Sequence, residues 1–308
     1  MELSIVIPVY RSAASIPLLH KRLCDACNGH FTGFEIIFVE DCGGDDSWRL
    51  IQQLALDDVR IRGLRLTRNF GQHYAITAGM SIARGNWVVT MDCDLQDDPA
   101  FISDLYRLAL EQKVDMVLVR RVGRRDHWVN VLLSRLFYRC FAALSGQVMD
   151  SAVGSYRIMS RRVVKSYLDL PERHRFFGGL IQWMGYATAS LDVPHQSRHA
   201  GRSGYSFLRR LSLACDALFS FSDRPLLVMV FVGGLTALLT PVFASYIFVR
   251  RILGLIPELG FASLIISIYF LSGLILMSLG IVGLYVGRVY HEVKGRPLFL
   301  IAEDTGSE

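Results

Sequence analysis

Between Asn86 and Pro99 the chain reads N-W-V-V-T-M-D-C-D-L-Q-D-D-P, a short apolar run that ends in a cluster of carboxylates. Asp92 and Asp94 are hard oxygen donors two residues apart, a type that suits Mg2+ or Mn2+ together with water and phosphate ligands. A divalent cation held there would neutralise the charge that develops on a departing diphosphate. The same acidic stretch also suits a plainer role, capping the helix that follows. Asp41 is a second candidate. It stands at the end of the strand-like run Phe34 to Val39, placed either to accept N–H groups of a nucleobase or to cap a helix.

Such chemistry needs strands that end side by side. Trp87 to Met91 is uncharged and, but for Thr90, apolar, as in a strand buried on both faces of a parallel sheet. Continued through Asp92, Cys93 and Asp94, it would put both carboxylates on one side. Leu3 to Val9, Phe34 to Val39 and Ile61 to Leu66 read as three earlier strands. Helices are expected from about Ser15 to Asn28, after Asp45 and Ser47 to about Leu56, and from about Gln72 to Ala83. Another, from about Pro99 to Gln112, leads to a fifth strand, Met116 to Val119. Residues 150 to 195 continue as strand, helix, helix, strand. This alternation implies an α/β fold, a mostly parallel sheet with helices on both faces. The polar clusters after the second, third and fourth strands then meet at the carboxyl edge, where such sheets bind ligands.

Composition adds a second environment. Of 308 residues 52% are hydrophobic, and the mean hydropathy of +0.33 is too high for a wholly soluble chain. Pro225 to Val249 is about 25 residues without a charge and Leu259 to Gly287 about 29, beyond the roughly 20 that a bilayer-spanning helix needs. Arg209, Arg210, Arg224, Arg288, Lys294 and Arg296 flank the pair, against Arg250 and Arg251 between them. That balance places the large flanks in the cytoplasm. The N-terminus has no signal-peptide pattern, in keeping with that orientation. Residues 126–144 and 205–221 read as amphipathic helices. With Arg120, Arg121, Arg124, Arg125, Arg135 and Arg139, the first suits an anionic membrane surface, a phosphate-bearing lipid, or ordinary packing. A net charge of +5 with no basic arm argues against nucleic acid. Cys24 and Cys27 form a C-x-x-C without a second pair, so a zinc site is not expected. No P-loop and no G-x-G-x-x-G is present. The domain reading is 1–200 catalytic, 201–224 juxtamembrane, 225–287 two spans, and 288–308 a tail, disordered from Glu303.

Several motifs in order carry a family resemblance: I-V-I-P-V-Y (5–10), V-E-D-C-G-G-D-D-S-W (39–48), R-N-F-G-Q-H (68–73) and M-D-C-D-L-Q-D-D-P (91–99). With S-F-S-D-R-P-L (220–226), the two spans and G-R-V-Y-H-E-V-K-G-R-P-L (287–298), the chain resembles family 2 glycosyltransferases of GT-A, Rossmann-like fold. Within them it is similar to the polyprenyl-phosphate branch. The resemblance implies inverting transfer of a sugar from a nucleotide-sugar, UDP by analogy, to undecaprenyl phosphate at the bacterial inner membrane. It implies that Pro8, Val9, Tyr10, Asp41, Arg68, Asn69 and Asp92 bind the donor, and that Asp92, Asp94 and Gln96 hold Mg2+ or Mn2+. Arg121 and Arg135, with Asp92 and Asp94 counted as catalytic, would meet the lipid phosphate. Arg198 and Arg202 lie in a matching R-x-x-G-x-S-x-Y loop and would join them. A homotetramer is implied too. Arg11 and Ser12 stand where relatives carry an acidic residue, Glu40 replaces an aspartate, and Ser155 in G-S-Y-R replaces a proposed catalytic aspartate. A monoester phosphate is largely ionised at neutral pH, so it needs no strong base. His73 reads as packing or donor-facing, and Cys93 as packing. The rival readings are a transferase that extends glycans and a non-catalytic membrane scaffold.

Overall fold

The apolar runs form strands at the expected places. In the computed structural model, which describes residues 1–122, 153–173, 175–194, 224–253 and 260–306, β1 (Leu3–Val9), β2 (Phe34–Glu40), β3 (Ile61–Leu66) and β4 (Trp87–Thr90) pair in parallel. Between and after them run α1 (Ile16–Cys27), α2 (Ser47–Asp57), α3 (Gln72–Ile82), a short 3-10 turn (Pro99–Phe101) and α4 (Ile102–Glu111). Then come β5 (Met116–Val122), β6 (Val153–Ser160), α5 (Arg161–Asp169), α6 (Phe177–Trp183) and β7 (Thr188–Pro194). A last strand, β8 (Ile301–Asp304), completes an eight-stranded sheet in the order β7-β5-β6-β4-β1-β2-β3-β8. β6 runs antiparallel to both neighbours and β8 antiparallel to β3, so the sheet is mostly, not wholly, parallel.

Pro8 sits in the central strand without breaking it. Val9 accepts from Asp41 N–H on the β2 side and Val6 from Met91 N–H on the β4 side. Alternation turns Pro8 towards β4, whose pairing with β1 has already ended at Val6–Thr90. The missing N–H therefore costs no ladder bond.

Helices cover both faces. Ile5 and Ile7 share a core with Leu19 and Leu23 of α1 and Leu105 of α4, all fully buried. Each such side chain contributes about 1.5–3 kcal/mol by leaving water. On the other face α3 lies so close to the sheet that a Cβ on Gly79 would overlap Val6 and come within 3.0 Å of Val39. Only glycine permits that approach, which brings the start of α3 beside the end of β4. Glu35, inside β2, is satisfied by Ser4 Oγ–H at 2.6 Å and Arg84 N–H at 2.7 Å.

Two expectations are corrected. β4 stops at Thr90, and Asp92 to Leu95 form a turn with Leu95 at φ 62° rather than further strand. The interior of the sheet offers no solvation for charged groups, so the chain bends as soon as they appear. The tail is structured from Glu303 as far as residue 306: Glu303 lies in β8, where β3 supplies an open edge and Trp48 and Arg65 supply partners.

The chain divides into two units, one comprising 1–138, 149–205 and 296–308 and the other 139–148 and 206–295. The second contains α7 (Arg224–Ile252) and α8 (Gly260–Val293), joined side by side where Ser278 Oγ meets Met229 Sδ at 3.6 Å. Their segments Leu226–Arg250 and Ser267–Val293 are long and apolar enough to cross a membrane. Phe231, Leu238 and Tyr269 are each at least 70% exposed, far more apolar surface than helices keep in water.

Candidate active site

Three strand ends meet at the carboxyl edge of the first unit, and each bends sharply. Arg11 (φ 51°), Cys42 (φ 53°) and Leu95 (φ 62°) follow β1, β2 and β4 in the left-handed region, which non-glycine residues enter at a cost of about 1–3 kcal/mol each. Such conformations persist where surrounding contacts enforce them. Here Arg11 Nε donates to Gly43 O at 3.0 Å, and a Cβ on Gly43 would stand 2.7 Å from Arg11 N.

At the end of β2, Glu40 and Asp41 are both buried. Glu40 Oε1 accepts Gly43 N–H at 2.6 Å, and Arg65 Nε stands 3.5 Å from Oε2. Asp41 accepts Phe70 N–H at 2.7 Å on one oxygen and Gly71 N–H at 2.8 Å on the other. Burial pushes the Asp41 carboxyl upward, against these two N–H groups and the Arg68 charge. It therefore fastens the R-N-F-G loop to β2 at the start of α3. Pro8 and Val9 lie in β1 beneath this corner. Tyr10, Arg68 and Asn69 are exposed above it, with the Arg68 guanidinium 4.2 Å from the Phe70 ring centre.

The D-x-D turn folds its own acidic residues into distinct jobs. Asp97 is buried and accepts Asp92 N–H at 3.2 Å, closing the turn. Asp98 caps the 3-10 segment by accepting Ala100 N–H at 3.1 Å. Cys93 points into the core, its thiol pushed up to about 12 by burial, so it has no nucleophilic character. Asp92, Asp94 and Gln96 stay half-buried on one turn, and Asp94 Oδ1 accepts Gln96 N–H at 3.1 Å.

Asp92 is held from two sides. Gln72 Nε2 donates to Oδ1 at 2.6 Å from the first turn of α3, and Ser155 Oγ donates to the same oxygen at 2.7 Å from β6. Thr90 Oγ1–H bonds the Ser155 carbonyl at 2.6 Å, locking β6 against the end of β4. Two residues along, Arg157 is buried over the Phe177 ring at 4.7 Å. Burial lowers its pKa to about 10, opposed by the nearby Tyr167 and Asp92. It remains a cation beneath the site at neutral pH. The sequence pointed to none of Gln72, Ser155, Asp97 or Arg157 for these tasks. Each lay inside a motif already singled out, R-N-F-G-Q-H for Gln72, the 91–99 stretch for Asp97 and G-S-Y-R for Ser155 and Arg157, but no motif showed which groups they would meet. His73 packs edge-on against Phe176 at 5.8 Å. Arg121 belongs to β5, opposite Val193. Arg135, Arg198 and Arg202 lie outside the described residues.

Comparison with known proteins supplies a family. Residues 4–168 match the model of glycosyl transferase family 2. An uncharacterized glycosyltransferase of Synechocystis is 34% identical over 100% of this chain and 97% of its own. The SfII prophage-derived bactoprenol glucosyl transferase of Shigella flexneri is 33% identical over 98% of this chain and 97% of its own. Among solved structures, glucosyl-3-phosphoglycerate synthase of Mycobacterium tuberculosis, crystallised with Mn2+, UDP and glucosyl-3-phosphoglycerate, superposes with a TM-score of 0.53. It is 18% identical and covers 72% of this chain and 80% of that one, a likeness of fold.

Proposed function

The chain belongs to glycosyl transferase family 2, and from that premise we propose that it transfers a sugar from a nucleotide-sugar to a polyprenyl phosphate. The observation that carries this is the full-length 33% identity to a protein named as a bactoprenol glucosyl transferase, with a D-x-D turn supported by Gln72 and Ser155. A match of that length favours the lipid acceptor over the glycan-extending and scaffold alternatives.

Asp92, Asp94 and Gln96 offer oxygen donors on one turn, a set that fits Mg2+ or Mn2+. A cation bound there would offset charge on the departing nucleoside diphosphate. The chain's own residues do the remaining work. Gln72 and Ser155 fix the orientation of Asp92. Asp41 retains acceptor capacity for a base N–H beyond its two backbone bonds, since a carboxylate has about four lone-pair sites. Pro8, Val9, Tyr10, Arg68 and Asn69 surround the donor, which we take to be a UDP-sugar.

Ser155 is turned to Asp92 and is no base, so the acceptor must bring its own nucleophile. A phosphate monoester does so, its second pKa lying near 6. Its oxygen attacks the anomeric carbon with inversion as the bond to the diphosphate breaks. Arg121, Arg135, Arg198 and Arg202 hold that phosphate by charge-assisted hydrogen bonds. In this reading the protein is a two-span chain of the bacterial inner membrane with its first unit in the cytoplasm, assembled as a homotetramer; the two helices long and apolar enough to cross a membrane support the membrane placement.

The test incubates purified full-length protein with nucleotide-sugars, Mn2+ or Mg2+ and undecaprenyl phosphate, and follows lipid-linked sugar by mass spectrometry. Asp94→Ala should lower turnover by roughly 10²–10³-fold. No lipid product from any donor, or undiminished turnover in a folded Asp94→Ala variant, would overturn the proposal. Arg121→Ala should raise KM for the lipid far more than KM for the donor.

A further inference from the structure

A second cluster of ligand-type side chains lies at the other edge of the same sheet. His20 and Cys24 are four residues apart on α1, and so share one face of it. They face Asp58, the residue that ends α2 and precedes β3. The catalytic groups follow strand ends while Asp58 precedes a parallel strand, so the two sites stand at opposite edges. His20 Nε2 is 3.2 Å from Cys24 Sγ and 3.5 Å from Asp58 Oδ2, and Sγ is 4.0 Å from Oδ2. Tetrahedral zinc, with bonds of about 2.0–2.3 Å, separates its ligand atoms by roughly 3.3–3.6 Å. The two His20 separations lie at or within about 0.1 Å of that spacing, and Cys24 Sγ and Asp58 Oδ2, at 4.0 Å, need only close by about 0.4 Å for the three donors to form one face of such a tetrahedron.

The surroundings fit as well. The side chains of His20 and Asp58 are 21% and 15% exposed, which shields the donors yet leaves access for a water as fourth ligand. Arg60 donates to Asp58 Oδ1 at 2.8 Å and Oδ2 at 2.7 Å, and its Nη2 stands 3.6 Å from Cys24 Sγ. Asn28 Oδ1 accepts from Arg60 Nη1 at 2.9 Å, fixing that guanidinium. Donors behind anionic ligands in this way orient them in metal sites. Cys27 takes no part, being fully buried in the core.

We propose that His20, Cys24 and Asp58 bind Zn2+ and clamp α1 to the connection between α2 and β3. On binding, the Cys24 S–H bond breaks, the thiolate ligates the dication, and the proton leaves to solvent. The metal is separate from any held by the D-x-D turn.

The test uses full-length protein in detergent, stripped with EDTA and titrated with Co2+ as a spectroscopic probe. Wild type and Asp94→Ala should both develop a near-ultraviolet thiolate-to-cobalt band at one equivalent, bleached by Zn2+. Cys24→Ser should lack the band and His20→Gln should weaken its binding, with circular dichroism confirming that both are folded. Zn2+ should raise the Tm of wild type clearly more than that of Cys24→Ser, which keeps only the D-x-D turn as a cation site. Absence of the band in wild type would mean an Arg60-centred ion cluster only, and would overturn the site. So would its survival in Cys24→Ser or an equal Tm response in both. None of these readings depends on sugar transfer, so they stand or fall apart from the transferase assignment.

Discussion

Asp92 is where residue chemistry and fold meet most closely. Its Oδ1 receives two donors, from Gln72 and Ser155, and hydrogen bonds to a charged group are worth about 1.5–3 kcal/mol each. Ser155→Ala and Gln72→Ala should each lower kcat/KM by roughly tenfold, an effect typical of groups that orient a metal ligand. Because both act on one oxygen, the double variant should lose less than the product of the two, read from steady-state kinetics with the donor varied. Asp41 behaves differently, since its oxygens serve the loop above it. Its pKa is raised in the folded chain, so the folded state holds that proton more tightly than the unfolded one. Its ionisation therefore removes stability as pH rises through and above the ordinary carboxylate pKa of about 3.9. Asp41→Asn should abolish that slope in urea melts taken across acid pH. It should also cost about 1–3 kcal/mol, because an amide nitrogen cannot accept the N–H it faces.

At the scale of elements, two contacts position the site. Gly79 lets α3 press onto Val6 and Val39, which fixes where Gln72 begins the helix. Gly79→Val should destabilise by about 1–3 kcal/mol through overpacking and should also reduce transfer, since α3 must lift with Gln72. β8 closes the open edge of β3. Thr67 N–H bonds Leu300 O at 3.0 Å, while Gly63 and Thr305 exchange two bonds. Glu303 joins Trp48 Nε1 at 3.0 Å to Arg65 at 2.7 Å, and Arg65 in turn reaches Glu40, which holds the Gly43 turn. The last residues thereby brace the strand that leads into Arg68 and Asn69. Removing residues 297–308 should speed hydrogen exchange at the Gly63 and Thr67 amides, with little change at Ile36 in the protected interior.

The molecule as a whole joins a sheet-built catalytic unit to two apolar helices, and the chain returns from the second helix to the sheet edge through Arg296. α7 and α8 bury little of their apolar surface on each other, which only lipid or further protein can cover. The full chain should therefore stay with membranes after alkaline extraction. Leu276→Arg, in the middle of the second apolar segment, should weaken insertion by about 3 kcal/mol and move protein to the soluble or aggregated fraction.

Local patterns alone located β1 to β5 of the first unit and the two long apolar helices, but neither the turn at Asp92 nor β8. Hydropathy and periodicity are properties of neighbouring residues, and they need no partner to be read. The ordered motifs likewise placed the chain among its relatives. Partners across the sheet were another matter. Ser155 reaches Asp92 from 63 residues away and Glu303 reaches Trp48 from 255, through strand pairings that nothing local specifies. A polar tail of a few residues looks the same whether it is free or docked, and the open edge of β3 decided that it docks. The bend after Thr90, the engagement of Asp41 by the loop, and the meeting of His20, Cys24 and Asp58 have the same origin. Each depends on which groups the folded chain leaves within hydrogen-bond reach once its apolar faces have closed.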